Sequence, residues 1–218
     1  MVHVSVEESG GHWFGIAYDG GDLVATAIGS DRESALTSVQ RCIPSGVKQQ
    51  SLVEPSPFSS RIAEMLARLE DGDESRKEFT LSSVHIPEWL RRVLTVASAI
   101  PKGYVTSYGN IADVAGTEAR AVGRVMATNP LYPILPCHRV VGSDMNLVGY
   151  GGRQDDDALT AKLNRLRVEA QGYSSTHQVE VEGGLLTVYP VEWVEAAVRS
   201  RRDRDRRKGD TLQLPLFD

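Results

Sequence analysis

The sequence predicts an α+β fold: a small N-terminal antiparallel sheet with helices against it, followed by a mostly helical unit built around a helix-turn-helix. Three observations carry this. Residues 1–30 alternate apolar and polar positions in short runs broken by Gly10-Gly11 and Gly20-Gly21, the pattern of strands joined by tight turns. Beyond residue 31 the apolar residues recur mostly at three- and four-residue spacing, which belongs to helices. Between residues 107 and 130 two short helical patterns are separated only by Gly116-Thr117, as in a helix-turn-helix. The 218 residues divide accordingly into 1–83, 84–170 and an extension 171–218, long enough in all for a real core.

The strands are HVSVEE, HWFGIAYDG and DLVATAIGS, with DGGD as the hairpin turn between the last two. DRESALTSVQRCI follows as a helix with Ala35, Val39 and Cys42 on one face, so Cys42 is expected in the core. FSSRIAEMLARLEDG repeats Ile62, Met65, Leu66 and Leu69 at helical spacing. PEWLRRVLTVASAIPKG places Trp89, Leu90, Val93, Leu94 and Ala97 on a stripe and stops at Pro101-Lys102-Gly103. SYGNIADVAG and EARAVGRVMATNP are the paired short helices; Ser107 caps the first, Gly116 ends it and Thr117 caps the second. A last helix of this unit aligns Leu159, Leu163, Leu166 and Ala170, and Asp155, Asp156 and Asp157 at its start suit the positive end of the helix dipole. QVEVEGGLLTVYP reads as a hairpin, and VEWVEAAVRSRRDRDRRKGD as a polar, basic helix.

Composition excludes several classes. At 41% hydrophobic and 24% charged residues the chain is an ordinary globular one. Two cysteines are too few for a disulfide scaffold and lack the spacing of a zinc site. No apolar run approaches the length of a membrane span, and MVHVSVEESGGHW has no signal-peptide character. A cytoplasmic protein without membrane association is expected. The net charge of −5 is unevenly spread: residues 1–83 carry 7 basic against 13 acidic residues, residues 84–170 carry 10 against 8. The middle block is the basic one.

Within that block, the second short helix turns Ala119, Val122 and Met126 one way and Arg120, Gly123, Arg124 and Ala127 the other. Two arginines beside two very small residues suit close approach to a nucleic-acid groove, the small residues admitting the backbone and arginine supplying charge. The same pattern also fits a plain solvated helix face. Further on, YPILPCHRVVG sets Cys137 beside His138-Arg139 between two apolar runs. A cysteine nucleophile needs its thiolate, and a base or cation nearby assists ionisation. Neighbours on an extended chain point to opposite sides, so a direct Cys137–His138 hydrogen bond is not expected; a bridging water or a bend must connect them, with a carboxylate to orient the histidine. A buried thiol beside a satisfied imidazole is the structural alternative.

The ordered motifs IPKGYVTSYGNIADVAG, ARAVGRVMATNP, ILPCHRVV and LVGYGG resemble those of the O6-alkylguanine-DNA alkyltransferases. The likeness covers residues 87–170 strongly and the N-terminal block only in outline, an RNase H-like sheet with helices. It implies a repair protein that binds double-stranded DNA through the minor groove, rotates an alkylated guanine out of the stack, and transfers the alkyl group irreversibly to Cys137 without a cofactor. Extruding the base costs on the order of a few kcal/mol. In related lesion-binding proteins without activity tryptophan typically replaces this cysteine. By resemblance His138 is the water-mediated base for Cys137 and Glu169 completes the relay. Tyr108 pushes on the 3′ phosphate and donates a proton to the leaving guanine, and Arg120 fills the vacated space. Gly123, Arg124 and Ala127 complete the DNA face. Asn129 braces the turn into the site, and Arg139 belongs to its structural surround. Tyr150 walls the pocket, carbonyls near Cys137 and Val148 read the exocyclic amine, Gly151 offers its backbone N–H, and Lys162 assists near the site. The segment RQDDDALTA before the last helix looks longer than the family connection, which bears on Glu169 and Lys162. Some relatives carry zinc in the N-terminal domain; Cys42, His3 and His12 lack a ligand spacing, so no metal is expected.

QLPLF, residues 213–217, follows the arginine-rich segment and is similar to sliding-clamp-binding peptides, which order on binding and insert apolar side chains into a preformed pocket. Packing on its own domain is the alternative for this tail, and a monomer is expected. Two readings of the whole stand from different classes: a single-turnover repair protein, and a non-reactive lesion binder or helix-turn-helix regulator in which Cys137 is structural.

Overall fold

A computed structural model describes residues 1–52, 54–74 and 78–211, without the side chains of 202 and 205–211. Strands β1 (Val2–Ser9), β2 (His12–Asp19) and β3 (Asp22–Gly29) form an antiparallel meander. Gly10 and Gly11 at φ 57° and 76° make the β1–β2 turn, a pair of left-handed residues whose twist matches that of the flanking strands. Helix α1 (Arg32–Cys42) packs on one face of this sheet, so closely that a Cβ at Gly15 would sit 2.5 Å from the Ala35 carbonyl oxygen. After the short strand β4 (Gln49–Ser51), α2 (Pro57–Glu70) covers the other face. Both helices begin with a side-chain cap, from Asp31 and from Ser56. Covering on both faces explains why β1–β3 are buried along nearly their whole length rather than at every second residue.

The strand order is β3-β2-β1-β4, and β4 runs parallel to β1. The sheet is therefore the expected antiparallel one with a parallel strand added at its edge. Cys42, expected in the core, is only half-buried: as the last residue of α1 it packs against the cluster formed by α1 and the sheet without being enclosed by it.

The second half opens with α3 (Glu88–Ser98). It continues through β5 (Tyr104–Ser107), α4 (Tyr108–Ala115), α5 (Ala119–Thr128), a 3-10 turn at Cys137–Arg139, β6 (Val140–Val141) and α6 (Asp156–Glu169). Next come β7 (His177–Val181), β8 (Gly184–Pro190) and α7 (Val191–Thr211). Strands β6, β5, β8 and β7 form a second sheet in that order. The hairpin at residues 177–190 is thus not an appendage. The Thr106 hydroxyl and the Asn110 amide both donate to the Thr187 carbonyl, at 2.7 and 3.3 Å, so β8 braces the start of α4.

Ser107 caps α4, and Gly116 ends it at φ 66°. The cap position of α5 is Glu118, without a side-chain cap bond; Thr117 instead gives its N–H to the Ala112 carbonyl and belongs to the turn. The buried stripe of α5 is Val122, Val125 and Met126, whereas Ala119 is exposed. On α6 the buried residues are Ala158, Lys162, Leu163 and Leu166, with Ala170 exposed, because the helix ends at Glu169 and Ala170 is already non-helical. One apolar core runs from Phe14 and Ile16 of the first sheet through Leu66 and Leu94 to Val122, Ile134 and Cys137. The Thr26 N–H also donates to the Pro130 carbonyl at 2.9 Å, fixing β3 against the segment that leads into Cys137.

Candidate active site and nucleic-acid interface

Asn129 ends α5 in the left-handed region, at φ 36°, where asparagine is among the few residues other than glycine that settle readily. That geometry turns its side chain under the following loop. The Asn129 amide nitrogen donates to the Leu135 carbonyl and to the Cys137 sulfur, each at 3.1 Å. The sequence reading takes Cys137 and His138 as neighbours on an extended chain, to be connected by a bridging water or a bend. The chain makes a 3-10 turn at Cys137–Arg139, closed by the Arg139 N–H on the Pro136 carbonyl at 2.8 Å. Cys137, His138 and Arg139 are all buried, and the turn sends the thiol and the imidazole to different partners.

His138 Nε2 lies 2.7 Å from Glu169 Oε1. Burial pushes the imidazole below its ordinary pKa, against the raising effect of Glu169. Burial alone would raise Glu169, but hydrogen bonds from His138 and Arg139 bring it down to about 2. An ionised carboxylate only accepts, so Nε2 carries the hydrogen of the neutral ring and Nδ1 keeps its lone pair. Arg139 holds this arrangement. Its Nε and Nη2 donate to Glu169 at 2.7 and 2.8 Å, while Nη1 donates to Glu74 at 3.1 Å and to the Ile100 carbonyl at 2.8 Å. A fork of this kind fixes a carboxylate in plane as well as in distance.

The thiol sits in an opposing balance. Burial raises the Cys137 pKa, while the Asn129 hydrogen bond and the positive charges of Lys162 and Arg165 lower it. Lys162 is fully buried, yet its ammonium donates to the carbonyls of Val140 and Gly149 at 2.6 and 2.9 Å. Burial lowers its pKa to about 8, so at neutral pH it still carries most of its charge. Tyr108, the first residue of α4, lies 5.9 Å from that ammonium by its ring centroid. Burial, together with the negative charge of a Cys137 thiolate, pushes its phenol up to about 12. It is a protonated donor throughout the neutral range.

A cavity of about 550 Å³ joins these groups to the helix face expected to meet a groove. Cys137, Tyr108, Val148, Tyr150 and Gly151 line it together with Arg120, Gly123, Arg124 and Ala127. Ala119, expected inside, lines it too. A Cβ placed on Gly123 would meet nothing within 4 Å, so this side of α5 is open. Nine of the fourteen sequence-chosen residues line this cavity, Asn129 donates to the Cys137 sulfur and Lys162 acts on it by charge. His138, Arg139 and Glu169 line a different cavity, of about 370 Å³, on the other side of the turn. The Gly151-Gly152 pair, at φ 56° and 74°, turns the chain between Tyr150 and Arg153, whose backbones exchange hydrogen bonds at 2.9 and 3.0 Å. Asp155 caps α6 through the Ala158 N–H at 3.1 Å and pairs with Arg153. The aspartate run before α6 thus has a helix-starting role, and Glu169 still reaches His138.

Two contributors escaped sequence reasoning. Glu74 lies 65 positions before the arginine it holds, in a segment with no periodicity. Arg165, whose charge acts on the thiol, donates to the Tyr132 hydroxyl at 2.6 Å. Its position on the α6 face, three residues from Lys162, was the available signal.

Residues 88–171 match the family model for the DNA-binding domain of 6-O-methylguanine DNA methyltransferase. The chain is 29% identical over 168 residues to a methylated-DNA–protein-cysteine methyltransferase of Methanocaldococcus jannaschii, covering 76% of this chain and 93% of that one. It is 33% identical over 133 residues to one from Methanothermobacter thermautotrophicus, spanning 59% of this chain and 70% of the relative. Against one from Pyrobaculum aerophilum the identity is 53% over 72 residues, which span about half (48%) of that relative. Among solved structures, Mycobacterium tuberculosis OGT in complex with DNA aligns at a TM-score of 0.53 and 28% identity, covering 77% of this chain and 92% of that one.

Proposed function

Because the chain belongs to the 6-O-methylguanine DNA methyltransferase family, we propose that it repairs O6-alkylguanine in duplex DNA by moving the alkyl group onto its own Cys137. The observation that carries this reading is the single cavity lined both by the Cys137 sulfur and by the open face of α5. A guanine rotated out of the stack across that helix enters the same space that holds the nucleophile. Arg120 and Arg124, both exposed, serve the phosphate backbone and the vacated stack, and Gly123 and Ala127 let the groove come close. Residues 84–170 act as the DNA-handling unit, supported by residues 1–83 and by the extension 171–218.

The chemistry is one displacement. His138 Nδ1 takes the thiol proton through a bridging water, with Glu169 stabilising the imidazolium that forms and Arg139 keeping Glu169 in place. Lys162 and the Asn129 amide favour the thiolate. The sulfur attacks the alkyl carbon, the S–C bond forms as the C–O6 bond breaks, and the electron pair leaves on guanine. Tyr108 supplies the proton that guanine takes up. Tyr150 walls the base, the Val148 and Cys137 carbonyls meet its amine, and the Gly151 N–H faces its oxygen. The thioether is stable, so each molecule works once and no cofactor is consumed.

Incubation with excess O6-methylguanine duplex, followed by intact mass, tests the reading. The expected result is one methyl increment per protein, absent in Cys137→Ser. A protein that binds the duplex and stays unmodified is instead the non-reactive lesion binder.

The protein acts as a monomer in the cytoplasm; among the described residues no helix is long and apolar enough to cross a membrane. The QLPLF segment at 213–217 lies outside the described residues. Its sequence supports docking to a sliding clamp, and equal recovery of the clamp by protein with and without residues 211–218 removes that part of the proposal.

A further inference from the structure

The family match ends at residue 171, and the chain goes on through β7, β8 and α7. Helix α7 starts beside the C-terminal end of α6: the Gly172 N–H donates to Glu192 at 2.5 Å and Arg167 Nε to Glu195 at 2.6 Å. Val191, Val194 and Val198 then pack with Leu163 and Leu166 of α6 and with Met145 and Leu147 of the loop after β6. Val198 is the last apolar residue before Leu212, yet α7 continues to Thr211. At 1.5 Å per residue this carries the helix about 20 Å beyond its packed part. Arg199, Arg201 and Arg204 are all exposed there.

This course takes α7 towards the nucleic-acid side of the molecule. Gly152, Arg153 and Gln154, just before the start of α6, line the groove-side cavity that holds Cys137, and α7 begins at the opposite end of that helix. It reaches the loop at 142–148. Hydrogen bonds from Asn146 hold the Asp144 carboxyl there below its usual range, and the charge of Arg201 adds to them. Val148, four positions after Asp144, lines the groove-side cavity. The basic run therefore starts beside the rim of the space that guanine enters. Residues 199–208 hold seven arginines and lysines against two aspartates, a net +5 in a chain of net −5, so the remainder stands at −10. Helix surfaces that serve solubility alone intersperse the two signs; a block of one sign on a protein of the other attracts a charged partner.

We propose that the outer half of α7, from Arg199 onwards, is a second DNA contact, an arm whose arginines meet phosphates of the duplex flanking the lesion. This rests on the reading of α5 as the groove-facing helix. The occupant is duplex DNA because the arm continues from that face and is opposite in charge to the phosphate backbone, of which about 20 Å spans about six base pairs. Phosphate contacts carry no sequence information. The arm supplies affinity and position, and its mark is salt dependence.

The test is binding of the full-length protein to unmodified duplex, followed by fluorescence anisotropy against salt, which keeps the transfer chemistry out of the readout. Arg199→Gln, Arg201→Gln and Arg204→Gln combined remove three charges and keep good helix formers. They are expected to reduce the slope of log K against log salt by about two. The same three positions changed to lysine keep the charge, and the slope is expected to stay at the wild-type value. A glutamine variant whose slope matches that of the wild type overturns the arm. If its melting temperature falls at the same time, the arginines serve the protein's own Asp144 loop instead. A lysine variant that loses as much slope as the glutamine variant also overturns the arm, because charge is then not what the site uses. Intact mass after incubation with methylated duplex scores the alkyl-transfer reading separately, and its failure would leave the salt slopes unaffected.

Discussion

At the scale of single residues, the site is a problem of keeping charges where burial opposes them. Lys162 is buried with two carbonyl oxygens as its acceptors. Holding a cation there works against desolvation, and its effect is a positive field on the Cys137 thiol. The consequence is measurable. Below about pH 8 Lys162 is charged, and the alkyl-transfer rate rises with pH as the thiolate fraction grows. Above that, loss of the lysine charge raises the thiol pKa and the climb flattens. Lys162→Met is expected to remove the break near pH 8 and to lower the rate at least tenfold at pH 7, read from a pH–rate profile of adduct formation. An unchanged profile in Lys162→Met removes the lysine from the site's electrostatics. Sequence alone named Lys162 only through family likeness; its position on the inner face of α6 breaks the apolar pattern that periodicity follows. Cys137 and His138 were legible as chemistry, because a thiol and an imidazole between apolar runs are unusual. Their orientation was not, because a three-residue 3-10 turn leaves no periodic trace.

At the scale of elements, α4 and α5 were legible to within a residue or two because their ends are marked by Ser107 and Gly116. The inward face of α5 was misread at Ala119, which is exposed, and missed Val125, which is buried between Val122 and Met126. β4 and β5, of three and four residues, were not legible at all. Strands that short exist only through partners, and β5 finds its antiparallel partner at Tyr189 and Pro190, more than 80 positions on. The arginine face of α5 makes a prediction of its own. Arg124→Ala should weaken duplex binding about equally across sequences and reduce the slope of log K against log salt by about one, measured by fluorescence anisotropy between low and moderate salt. An unchanged slope means that Arg124 meets no phosphate.

At the scale of the whole molecule, an ionic cluster ties the last helix of the DNA-handling unit to the segment that joins the two halves. Glu169 at the end of α6 accepts from Arg139 and His138, and Arg139 reaches on to Glu74. The folded pKa of Glu169, about 2, lies below its ordinary 4.5. Its stabilisation is therefore complete above pH 4.5 and disappears as pH falls towards 2; the shift corresponds to on the order of 3 kcal/mol. His138, kept neutral by burial, acts in the same direction: folding resists its protonation, so stability falls as pH drops below its ordinary 6.5. Melting temperature should decline on acidification from pH 7, and Glu169→Gln should lose the part below pH 4.5 while being less stable at pH 7. A variant with the wild-type acid limb contradicts the assignment. The continuity of the core between the halves was not legible either. Residues 1–83 read as a self-sufficient sheet with helices, and nothing in their pattern announces that the face under α2 goes on to pack near the reactive loop.

The most direct measurement is a peptide map by tandem mass spectrometry of full-length protein after reaction with O6-methylguanine duplex, because the chain holds two thiols and only one borders the groove-side cavity. The account predicts S-methylation of the peptide containing Cys137, in stoichiometric amount, with Cys42 unmodified. Methyl found on Cys42, or on neither cysteine while the duplex is bound, contradicts it.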